Sequence, residues 1–119
     1  MKIAEYVGNG IVILEPHGRL TVETIQYFRR AVARRIDQGW NRIIVDLQHV
    51  GYMDSAGLGA LVYAYTSCRR RGTRMVLVRV VGKNRELLRI TKLLTVFDVY
   101  ETTLEAERSF AHPPEANVM

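Results

Sequence analysis

Residues 42–47, Arg-Ile-Ile-Val-Asp-Leu, limit the fold more than any other run in this chain. A near-continuous β-branched stretch of this kind is a central strand, covered on at least one face and parallel to a neighbour. A loop over residues 48–53 follows. Beyond it, Leu58, Leu61, Val62 and Tyr65 recur at the steps of one helix face. Arg69, Arg70 and Arg71 fall in the last turn, where cations meet the negative end of the helix dipole, and Gly72 ends the helix. The chain therefore contains a strand, a tight turn and a helix in immediate succession. At that turn stands Asp54-Ser55-Ala56-Gly57-Leu58-Gly59, with Ser55 at or beside the N-cap.

The flanking sequence repeats the alternation. Residues 3–7 and 11–14 are strand candidates joined by Gly8-Asn9-Gly10, whose residues tolerate positive φ. Pro16 is expected to end that pairing or to sit at an irregular edge. Thr21 is placed to cap a helix whose buried face is Ile25, Phe28, Val32 and Ile36, stopped by Gly39. Its arginines, Arg29, Arg30, Arg34 and Arg35, make either a solvated face or a docking surface for an acidic protein. Residues 75–81 form another apolar strand, and Gly82, Lys83 and Asn84 punctuate. Leu87, Leu88, Ile90, Leu93 and Leu94 follow a short helical pattern, and residues 95–100 make a brief last strand. Thr102 and Glu105 have capping-box spacing for a terminal helix reaching about residue 110. Strands alternating with helices after an initial hairpin predict an α/β layer with right-handed crossovers. Residues 111–119 contain Pro113-Pro114 and lose periodicity, so a flexible tail is expected there.

Composition narrows the class. At 119 residues, 48% of them apolar, the chain is one globular domain with a real core. No apolar run is long enough to span a bilayer, and an early acid with no long apolar region argues against a signal peptide. The single cysteine, Cys68, excludes an internal disulfide framework and suits a reducing cytoplasm. A net charge of +5 permits an acidic partner. The basic cluster of Arg69–Arg71 and Arg74 has no interleaved aromatics, which is a poor nucleic-acid platform. The edge strand over residues 3–7 is open to pairing with a second chain.

Catalytic constellations are missing from the pattern. Met53 stands where a nucleophile elbow needs glycine, and no orienting acid accompanies His49 as a base for Ser55. No local His, Cys or carboxylate spacing suggests a metal, and Val62 breaks the dinucleotide fingerprint begun by Gly57 and Gly59. Neither cofactor nor metal is expected, and the chain is not read as an enzyme. Ser55 as a plain N-cap is the simplest use of the residue. A phosphoacceptor is the sharper one: free amides and the dipole at a helix N-terminus tolerate a phosphate, and small neighbours let another protein's active site approach.

Val50-Gly51-Tyr52-Met53-Asp54-Ser55-Ala56-Gly57-Leu58-Gly59-Ala60-Leu61 resembles the signature of the STAS domain, the sulphate-transporter and anti-sigma-factor-antagonist family. Gly18-Arg19-Leu20-Thr21 resembles the family's Gly-x-Leu-Asp turn, residues 42–47 its central strand and residues 90–97 its closing segment. The resemblance covers about residues 3–110, and a STAS domain over 1–110 with a tail over 111–119 is the expected organisation. It implies a four- to five-stranded mixed sheet with helices packed mainly on one face. It also implies a cytoplasmic partner-switching regulator that binds an anti-sigma factor which is itself a serine kinase. Phosphorylation of Ser55 would end the interaction and a serine phosphatase would restore it. Thr21, Asp54, Ser55, Ala56, Gly57, Leu58 and Gly59 would form the partner surface. Thr21 stands where many phosphorylatable members carry aspartate. The alternative is a STAS module that binds a nucleotide or small apolar ligand, or serves as a subunit of a transport or signalling assembly, without a phosphoswitch.

Overall fold

The structure, a computed structural model, describes residues 1–111. The tail expected over 111–119 lies, beyond residue 111, outside the described residues. In chain order the elements are β1 (Lys2–Gly8), β2 (Ile11–Leu20), α1 (Ile25–Asp37), β3 (Arg42–Asp46), β4 (Val50–Met53), α2 (Ser55–Arg70), β5 (Arg74–Val78), α3 (Gly82–Ile90), β6 (Val99–Tyr100) and α4 (Thr103–Ala111). The strands form one mixed sheet in the order β1-β2-β3-β5-β6, with β4 beside β2. Only β1 is antiparallel to its neighbour; β2, β3, β5 and β6 run parallel. The β-branched run is the central β3, as its sequence requires.

Alternation along the strands divides the core in two. Val12, Leu14, Ile43, Val45, Met75 and Leu77 point to one face, where Phe28, Val32 and Ile36 of α1, Ala60 and Leu61 of α2 and Leu88 of α3 cover them. Ile11, Ile44, Val76 and Val78 point to the other, where Ala106 and Phe110 of α4 cover them. Three helices on one face and a single one on the other agree with the expected layer.

Three local expectations are corrected, and of the two places expected for Pro16 the structure takes the irregular edge. Pro16 does not end β2, which continues to Leu20. The strand leaves β3 after Leu14 and joins β4 at Gly18, so at Pro16 only β1 borders it, and a missing N–H is tolerated there. The loop over 48–53 contains β4, held to β2 through Gly18, Arg19 and Leu20. Gly82, Lys83 and Asn84 open α3 instead of punctuating before it, and the buried Asn84 donates its side-chain amide to the Val50 carbonyl (2.7 Å). Thr21 does not cap α1: Thr24 holds the cap position, accepting from the Thr21 N–H (2.9 Å) and donating to the Arg19 carbonyl (2.6 Å). The capping box at α4 forms as expected, with the Glu105 N–H donating to Thr102 Oγ1 and the Thr102 N–H to Glu105 Oε1. No helix among the described residues is long and apolar enough to cross a membrane.

Candidate functional site

The Ser55 turn is assembled by Asp54. Its backbone is extended (φ −98°, ψ −174°), and its Oδ1 accepts from the Gly57 N–H (2.9 Å), so Asp54 and not Ser55 caps α2. Its Oδ2 accepts from the Val22 N–H (3.3 Å), and its own N–H donates to the Leu20 carbonyl (3.3 Å). One side chain thus clasps the start of α2 to the turn that leads into α1. The Gly57 N–H, above all, holds the Asp54 carboxyl below its ordinary value, with the Val22, Ala56 and Asp54 amides adding to the effect against partial desolvation. Asp54 is therefore ionised near neutral pH, beside Ser55.

Ser55 is the first residue of α2 and is exposed. Sequence reasoning allowed it to be the cap; since Asp54 has that role, the Ser55 hydroxyl stands free of it. Gly59 is exposed, and Ala56 and Leu58 are half-buried. Gly57, expected on the partner surface, is instead buried. A Cβ there would fall on the Leu20 carbonyl and lie 2.8 Å from Met53 Cγ. Its work is to let α2 start directly against the end of β2, which fixes where Ser55 projects. Thr21, also expected at that surface, is buried at 8% exposure. It reaches the site only through its neighbour: Val22, 69% exposed, is bonded through its N–H to Asp54.

Two features escaped the sequence. Val22 brings an exposed apolar side chain to the Asp54 clasp, and Tyr52, 46% exposed on β4, carries the Arg19 guanidinium 4.9 Å from its ring centroid. Only the β2–β4 pairing, which sets Arg19 opposite Tyr52, brings these segments together. The site is thus an exposed hydroxyl on the turn that Asp54 holds, with exposed Val22 tied to the same clasp and half-buried Leu58 and exposed Gly59 following in the first turn of α2. The Asp54 carboxylate beside Ser55 is already engaged by the Gly57 and Val22 N–H groups.

The profile of the STAS domain family matches residues 2–106. A Thermotoga maritima protein provisionally named an anti-sigma factor antagonist is 31% identical over 97 residues, covering 81% of this chain and 86% of that protein. A crystal structure of an anti-sigma factor antagonist from Thermotoga maritima, also provisionally named, superposes with a TM-score of 0.84 at 28% identity, over 90% of this chain and 92% of that one. The phosphorylated form of the Bacillus cell fate determinant SpoIIAA has the same fold, with a TM-score of 0.70 at 20% identity over 92% and 99% of the two chains. A family match across nearly the whole described chain, joined by the sheet order and the Asp54–Ser55 turn, establishes that this protein belongs to the STAS domain family.

Proposed function

We propose that this chain is an anti-sigma factor antagonist of a partner-switching pathway, and that Ser55 is its phosphoacceptor. The single observation behind the reading is the exposed Ser55 hydroxyl at the head of α2, relieved of capping by Asp54. The names of the Thermotoga relatives support the class of partner. In the unphosphorylated state the patch of Ser55, Leu58, Gly59, Val22 and Tyr52 docks on an anti-sigma factor that is also a serine kinase. Phosphorylation adds a charge of about −1.5 to −2. Asp54 is already ionised next door and occupies the nearest first-turn amides, so the phosphate gains little within the fold. Its effect falls on the contact, where a desolvated double charge opposes docking. A serine phosphatase reverses the step, and the cycle runs in the cytoplasm.

Intact-mass measurement after incubation with the cognate kinase and ATP tests the reading. One phosphate adduct is expected on the wild type and none on Ser55→Ala. Ser55→Ala should still bind the kinase, whereas Ser55→Asp should bind at least about tenfold more weakly, a loss of about 1.4 kcal/mol. A wild-type chain that binds the kinase without ever acquiring the adduct would favour a constitutive STAS scaffold instead.

A further inference from the structure

A second cluster lies away from Ser55, on the sheet face that α4 covers only in part. Ile11, Ile13, Glu15 and His17 follow one another on that face of β2 at the two-residue period of a strand. Ile11 and Ile13 belong to the α4 core; Glu15 and His17 continue the row beyond it. His49, at the turn into β4, comes over the same spot. The Gly18 N–H donates to its carbonyl (3.0 Å), which ties its backbone to the residue following His17. The His17 and His49 rings stack with centroids 4.4 Å apart and planes 11° from parallel. His17 Nε2 and Glu15 Oε1 are 2.9 Å apart. One ligating atom from each of Glu15, His17 and His49 lies within 4.8 Å of the others.

We propose that Glu15, His17 and His49 form a binding site for a late first-row divalent cation, of which zinc is the representative. Two imidazoles and one carboxylate are a donor set such ions favour, with water completing a tetrahedron. At zinc–ligand distances near 2.0–2.1 Å, tetrahedral donors sit roughly 3.3 Å apart. The present separations are therefore closed by side-chain rotation, without movement of the strands. The 2.9 Å separation of His17 Nε2 and Glu15 Oε1 already brings two of the donors near the spacing of adjacent ligands on one ion. His49 is exposed, with its ring stacked on that of His17. Lys2 stands opposite His17 in register, but it is exposed and its long stem carries the ammonium into water. The ligands come from two distant segments, so no local spacing in the sequence announces them. Cys68, the one thiol, is fully buried in the main core and does not compete.

Calorimetric titration of the full-length, chelator-treated chain with zinc chloride tests the proposal. One saturable site is expected, with shifts of the His17 and His49 ring C–H resonances in NMR. His17→Gln, His49→Gln and Glu15→Gln should each weaken binding by at least about tenfold. His112→Gln should leave it unchanged, and magnesium in excess should not compete, because it prefers an all-oxygen shell. Thermal unfolding of the metal-free variants shows that each is folded. Absence of saturable binding to the folded wild type overturns the site, as does binding that survives either histidine substitution. Binding insensitive to Glu15→Gln overturns the three-ligand assignment. The outcome is independent of whether Ser55 is phosphorylated.

Discussion

At Asp54 a single carboxylate holds two segments, and its protonation has a calculable sign. The folded protein keeps this carboxyl below its ordinary value of 3.8, so the unfolded chain binds the proton more tightly. The stabilisation is fully present above pH 3.8 and is lost as pH falls through the lower folded value. Asn caps nearly as well as Asp, so Asp54→Asn removes the titration while leaving a cap. The stability gap between wild type and variant, followed by urea unfolding against pH, should be constant near neutrality and close under acid. A gap indifferent to acid would remove Asp54 from the clasp. The two neighbouring glycines separate in the opposite way. Gly57→Ala puts a methyl onto a backbone carbonyl that cannot swing aside, and should cost about 1–3 kcal/mol. Gly59→Ala meets open space inside a helix and should gain up to about 1 kcal/mol. If Gly59 faces the anti-sigma factor, the same methyl weakens docking, so stability and binding move apart. The sequence drew attention to both glycines and to Ser55 but treated them as one surface. What separates them is the approach of Leu20, which no local pattern encodes.

Between elements, one irregular joint lies at the end of β5. Arg79 takes a left-handed backbone (φ 56°), costly for a residue with a Cβ, and its side chain explains why. Its Nη2 donates to Asp46 Oδ2 of β3 (2.9 Å) and to Thr103 Oγ1 at the start of α4 (2.9 Å), while its N–H donates to the Tyr100 carbonyl (3.1 Å). Asp46 is almost wholly buried, and its remaining partner is the Gln48 N–H (3.0 Å). Arg79→Met leaves that carboxylate without its counter-charge and should cost about 2–3 kcal/mol, less than for a fully enclosed pair because Arg79 is partly exposed. Adding Asp46→Leu should return part of the loss; an additive double variant would show that the two residues do not act together. Regular elements were legible because periodicity reports burial: Phe28, Val32 and Ile36 sit on the buried face that their spacing gives. The second helix was less so. Its buried line runs through Gly57, Ala60, Leu61, Ala64 and Cys68, all but Leu61 small residues that bring it close to the sheet, while Leu58, Val62 and Tyr65 flank that line. β4 escaped because four residues with only their ends buried carry too little alternation to distinguish strand from loop.

For the whole molecule, the two faces of one sheet have unequal cover. Apart from β4, which lies beside β2, the parallel strands β2, β3, β5 and β6 follow chain order without a switch, so right-handed crossovers send α1, α2 and α3 to the same side. That much follows from the alternation of strands and helices in the sequence. The opposite face, including the fully buried Ile44 and Val76, depends on what comes after β6. Nothing in the spacing of Thr102 and Glu105 says which face their helix will take; the unshielded alternate residues of β2, β3 and β5 decide it. Ala106 is the test of that dependence, because it is fully buried against those strands and has room for no polar group. Ala106→Asp would bury a carboxylate without a partner, or lift α4 and expose the face, and should cost more than about 3 kcal/mol. Leu104→Asp, two residues earlier and 55% exposed, is the matched control. A carboxylate in the first turn suits the helix dipole, so the change should stay within about 0.5 kcal/mol or slightly stabilise. Urea unfolding of both variants, with a dye that reports exposed apolar surface, separates the cases. A large loss for residue 106 alone, with dye binding, identifies α4 as the lid of a true second core; equal, small losses would mean that the face stands without it.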